Sequence, residues 1–75
     1  MRLVSANVNG IRAAVRRGGL SWLAAQDADV ICLQEVRATD EQLRAALGDV
    51  FAGWSLQHRP SGTRAGHAGV AILSR

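Results

Sequence analysis

Glu35 follows directly on the apolar run Val30-Ile31-Cys32-Leu33 and Gln34, and Asn7-Val8-Asn9-Gly10 closes the first apolar stretch of the chain. A carboxylate placed just after a buried strand is lifted to the rim of its sheet, and open α/β sheets bind ligands at the C-terminal ends of their strands. Asn7 and Glu35 are therefore candidate oxygen ligands for a hard cation. Magnesium prefers oxygen donors, keeps several waters, and is commonly held by one or two carboxylates together with substrate phosphates. On spacing alone a plainer account has the better claim. Acids and asparagines are common at strand ends, so Glu35 would be a solvated acid and Asn7 part of a turn.

The other reactive residue types carry less. Gly62, Gly66 and Gly69 resemble a phosphate-cradling loop, but no G-K-[ST] follows and no helix opens after them, so a hairpin loop accounts for them better. His58 and His67 stand isolated from any acid or nucleophile spaced to form a dyad, and a structural role is expected of both. Cys32, flanked by apolar residues, reads as an inert buried thiol. Trp22 and Trp54 are expected to fill the core or its rim.

Positioning Asn7 and Glu35 requires two strands ending on the same side. Arg2 to Val8 is rich in strand formers and stops at Asn9-Gly10, a turn dipeptide. Ile11 to Gln26 has helical composition broken by Gly18-Gly19, so a short helical turn, a break and a second helix from about Leu20 to Gln26 are predicted. Val30 to Leu33 is continuous and apolar, as in a strand buried on both faces. Strand, helix, strand in this order is a βαβ unit, whose strands run parallel. Thr39-Asp40-Glu41-Gln42 matches a capping box, and Gly48 sits where a C-terminal cap belongs, which predicts a helix from Asp40 to Leu47. Trp54 to Arg59 and Gly69 to Ser74 then form an antiparallel hairpin. Because Val70-Ala71-Ile72-Leu73 is a core-type strand two residues from the end, it is expected to offer open pairing positions to further chain.

With 75 residues there is room for one small domain of marginal stability, burying about 60% of the surface its unfolded form exposes. Neither paired cysteines nor zinc-type Cys/His spacing staples it. A lone cysteine, no signal peptide and no long apolar stretch point to the cytoplasm and away from a membrane. The net charge of +3 invites a polyanion, but all nine basic residues are arginine, an imbalance that GC-rich coding also produces, and only Arg16-Arg17 is clustered. A solvated basic surface explains the charge at least as well.

Three blocks decide between these accounts: Ser5-Ala6-Asn7-Val8-Asn9-Gly10-Ile11-Arg12, Asp29-Val30-Ile31-Cys32-Leu33-Gln34-Glu35, and Gly69-Val70-Ala71-Ile72-Leu73-Ser74-Arg75. In this order and at about this spacing they resemble exonuclease III and the apurinic/apyrimidinic endonucleases of the endonuclease/exonuclease/phosphatase superfamily. The resemblance runs end to end. It implies an α/β fold: residues 1–75 would be the N-terminal portion of a single domain, a two-sheet α/β sandwich, holding its βαβ unit, a short helix and an antiparallel hairpin. It also implies that Asn7 and Glu35 are metal positions for Mg2+, with Mn2+ as a substitute, and that Arg37 and Arg12 contact DNA. There are departures. Ala6 replaces an aromatic residue, His67-Ala68 replaces a Tyr-Ser pair, and Asn9 stands where some relatives have Asp, which lowers the negative charge of the site.

The activity implied is phosphodiester hydrolysis on double-stranded DNA with abasic sites or 3′ ends, by a protein monomeric at full length. The Asp-His pair and further acidic and Asn residues of the resemblance have no counterpart among residues 1–75. No catalytic residue is therefore assigned, and the 75 residues alone are expected to be inactive. Two alternatives remain: a superfamily phosphoesterase acting on lipid or inositol phosphates, and a non-catalytic module holding DNA or a partner.

Overall fold

The computed structural model describes residues 1–60 and 68–75. The chain runs β1 (Leu3–Asn7), α1 (Ile11–Arg16), α2 (Gly19–Ala25), β2 (Val30–Gln34), α3 (Asp40–Leu47), β3 (Ser55–Pro60) and β4 (Gly69–Ser74). These strands make one mixed sheet in the order β1-β2-β4-β3. β1 and β2 are parallel, with Asn7 opposite Gln34, while β4 runs antiparallel to both β2 and β3.

The expected elements are present with shifted ends. β1 stops at Asn7, one residue short of the predicted Val8, which is buried and still donates its amide to Gln34 O. The break between the first two helices has a separate cause in each glycine. Gly18 adopts a left-handed φ of 89°, and a Cβ on Gly19 would lie 2.8 Å from the Ala14 carbonyl oxygen. Thr39 caps α3 through a complete capping box with Gln42, and Gly48 is its C-cap.

Two expectations about the sheet are corrected. β4 is not an open edge; it is inserted between β2 and β3, and the edges are β1 and β3. Pro60, which lacks an amide donor, is accommodated on that outer strand. Nor is β2 buried on both faces, since Ile31 and Leu33 are buried while Val30 and Cys32 are half-buried.

The register explains the difference. Row by row across the sheet, Val4, Ile31, Leu73 and Leu56 share one face with Ala6, Leu33, Ala71 and His58. That face meets Ile11, Leu23, Leu43 and Leu47 of the helices in a single core. The opposite face carries Leu3, Ser5, Cys32, Ile72 and Gln57, and no described helix covers it. Cys32 thus sits half-buried on the uncovered face and not inside the core. Trp54 packs edge-on against Phe51 at 5.0 Å, as expected of a rim residue, whereas Trp22 is exposed. No described helix is long and apolar enough to cross a membrane.

Candidate metal and phosphate site

Parallel pairing of β1 with β2 continues past the ends of both strands. Val8 N donates to Gln34 O at 3.0 Å, Gly10 N to Glu35 O at 2.8 Å, and Ile11 N to Val36 O at 2.9 Å. Val36 is fully buried and donates its own amide to Gly69 O at 3.0 Å, which ties in the start of β4. Glu35 and Arg37, on either side of it, both take left-handed φ values of 52°, and Asn9 takes 47°. Such conformations cost non-glycine residues roughly 1–3 kcal/mol each and persist where the surroundings over-determine them. The backbone bonds around Val36 are that over-determination.

The consequence is a rim with defined side-chain positions. Asn7 Nδ2 donates to Glu35 Oε2 at 2.5 Å, and Asn7 Oδ1 accepts from Asn9 N at 2.9 Å. Arg37 donates to Glu35 Oε1 at 2.9 Å, and Arg12 donates to the Arg37 carbonyl oxygen at 3.3 Å. The four residues singled out in the sequence, Asn7, Glu35, Arg12 and Arg37, therefore stand together at the C-terminal ends of β1 and β2. Bonds from Asn7 and then Arg37 hold the Glu35 carboxyl below its ordinary pKa, against an opposing effect of desolvation.

Next to this pair opens a concavity of about 330 Å³ lined by Gly10, Arg12, Ala13, Arg16 and Arg37. No acid lines it. Arg16 is the member that sequence reasoning left out of the site, although the Arg16-Arg17 pair was visible as the chain's one basic cluster. Among the described residues no three His, Cys, Asp or Glu side chains gather to hold a metal ion. Asn7 and Glu35 are a two-residue set of hard oxygen donors.

The family model of the Endonuclease/Exonuclease/phosphatase family matches residues 4–75. The chain belongs to this family. It is similar to an exodeoxyribonuclease of Bacillus subtilis (strain 168), 38% identical over the whole chain and 28% of that protein. It is also similar to the DNA repair nuclease APEX1 of Danio rerio, 35% identical over the whole chain and 24% of that protein. Among solved structures it superposes on the Xenopus laevis APE2 catalytic domain with a TM-score of 0.78 and 40% identity, over all of this chain and 23% of that one. The chain thus spans about a quarter of the length of these relatives.

Other residues weighed in the sequence fall outside this rim. His58, expected to be isolated, has its Nδ1 3.2 Å from Asp40 Oδ1; its side chain is buried and Nε2 has no partner among the described residues. The pair is 18 positions apart in sequence, and the only sequence signal was the alternation that puts His58 on the core face with Leu56. His67, Gly62 and Gly66 lie outside the described residues.

Proposed function

We propose that this chain supplies the metal-holding end of the active site in a magnesium-dependent DNA-repair phosphodiesterase that cuts at abasic sites and trims DNA from 3′ ends. The observation carrying this reading is the contact between the Asn7 amide and the Glu35 carboxylate on one sheet rim, beside a concavity lined by three arginines. The names of the relatives, an exodeoxyribonuclease and a DNA repair nuclease, support the DNA branch over lipid or inositol phosphates.

The donor set fits a hard divalent ion. Asn7 Oδ1 keeps a lone pair beyond the one taken by Asn9, and Glu35 offers a carboxylate already favoured in its ionised form. Bound there, Mg2+ or Mn2+ would polarise a phosphate and neutralise developing charge. Val36 and its backbone bonds fix the carboxylate, Asn7 orients it, and Arg12, Arg16 and Arg37 provide positive charge for the flanking phosphates. A cytoplasmic location suits the single cysteine.

The test is Glu35→Gln in the complete protein, assayed on a duplex with one abasic site across a Mg2+ series. The metal concentration for half-maximal cleavage is expected to rise by about tenfold or more. An unchanged metal dependence would make Glu35 a surface acid. Hydrolysis of inositol phosphates in preference to the abasic duplex would move the assignment to the other branch.

A further inference from the structure

We infer that Arg37 is an exchangeable counter-charge, which holds Glu35 Oε1 as seen here, yields that oxygen to a divalent cation, and thereby frees its guanidinium for a DNA phosphate. The inference rests on the reading of Asn7 and Glu35 as metal ligands.

Each Glu35 oxygen already has a partner: Oε2 takes the Asn7 amide, and Oε1 takes Arg37. The two partners respond differently to a cation. The Asn7 amide is neutral, so its bond to Oε2 is compatible with positive charge on Oε1. The guanidinium is a full positive charge at 2.9 Å from that oxygen, and a divalent ion bound to the same atom repels it. Arg37 is therefore the partner that leaves.

Its freedom to leave is built into the loop. The Arg37 backbone is pinned by the contact of its carbonyl with Arg12 and by the buried Val36 and Ala38 beside it. The side chain is 47% exposed, and Glu35 is its one side-chain partner among the described residues. The guanidinium can swing without moving the loop.

A destination lies alongside. The concavity shared with Arg12 and Arg16 has no carboxylate in its lining, so a third guanidinium there needs an anion. A phosphate of the DNA backbone has the charge and the acceptor geometry. The exchange makes cation and DNA binding cooperative, and linkage requires each to strengthen the other by the same factor.

The test uses the complete protein, free Mn2+ measured by electron paramagnetic resonance, and a phosphorothioate-linked duplex oligonucleotide that resists cleavage. Without DNA, Arg37→Met is expected to bind Mn2+ roughly two- to fivefold more tightly than the wild type, the range of an exposed ion pair, and to gain less from the duplex. In 15N-labelled wild-type protein, the Arg37 Nε–H resonance should move when Mg2+ is added, and in Glu35→Gln it should not.

Arg37→Met binding Mn2+ no more tightly than the wild type, or an Arg37 resonance indifferent to Mg2+, overturns the exchange. If Glu35→Gln has lost Mn2+ binding at the same time, the metal reading stands and only the exchange falls. If Glu35→Gln binds Mn2+ as the wild type does, the metal reading falls and the exchange with it. Cooperative melting of both variants well above the assay temperature establishes that the shifts are not unfolding.

Discussion

Both ends of β2 carry an arginine paired with acids, and the two pairs are built differently. At the N-terminal end Arg75 reaches Asp27 at 3.0 Å and the Ala28 carbonyl at 2.9 Å, lies 4.0 Å from Asp29, and covers the Trp54 ring at 5.2 Å. Its backbone amide adds a bond to Asp29 O, and Asp29 in turn holds the amide of Arg2. At the C-terminal end Arg37 has Glu35 alone as its side-chain partner among the described residues. Exposure does not separate them, at 51% for Arg75 and 47% for Arg37. The number and kind of partners does. Arg75 is a clasp joining the start of β1, the start of β2 and the end of β4, while Arg37 is a single contact on a strained loop.

The most severe way to break this contrast is to remove what both ends share. Leu33 is fully buried in β2. Leu33→Ala is expected to cost about 2–5 kcal/mol, read from the urea midpoint of the complete protein, and to loosen both pairs together. A loss confined to one end would mean that β2 does not couple them.

A smaller effect sharpens the contrast. Arg75→Met should cost about 1 kcal/mol in thermal or urea unfolding, since it removes several polar contacts and a cation–π contact. Arg37→Met, with one exposed ion pair to lose, should stay within about 0.5 kcal/mol. Equal losses at the two positions would erase the distinction between clasp and exchangeable contact.

The smallest effect is in pH. The Glu35 carboxyl is lowered by Asn7 and Arg37, so its contribution to stability is complete above the ordinary carboxylate range and is lost as the pH falls through the lowered value. Asp40 behaves in the same direction, through its bond with Arg44 first and His58 after it. Glu35→Gln should therefore lose stability less steeply on acidification than the wild type, in unfolding curves collected from neutral pH downward. An acid limb as steep as the wild type's would show that the rim contacts contribute nothing to folding.

What was legible in the sequence was local. The Thr39 capping box, the Asn9-Gly10 turn and the apolar run at Val30 each encode their element within a few residues, and parallel β1 and β2 then place Asn7 and Glu35 on one rim by geometry alone. The illegible part is pairing at a distance. Insertion of β4 between β2 and β3 depends on register across more than thirty residues, and nothing in Gly69 to Ser74 by itself selects a central position over an edge. Left-handed Glu35 and Arg37 were hidden for another reason: neither is a residue type that favours that conformation, and only the buried Val36 between them enforces it. Arg16 escaped because its role comes from the packing of α1 beside the rim loop, not from spacing within its own helix.

That alternation of outward, inward and outward residues at 35, 36 and 37 makes the length of the loop part of its chemistry. Adding or deleting one residue among these three is expected to disturb the spacing that keeps Val36 in the core with Glu35 and Arg37 outside it. The loop is held at both ends, by the helix cap at Thr39 on one side and by the paired strands on the other.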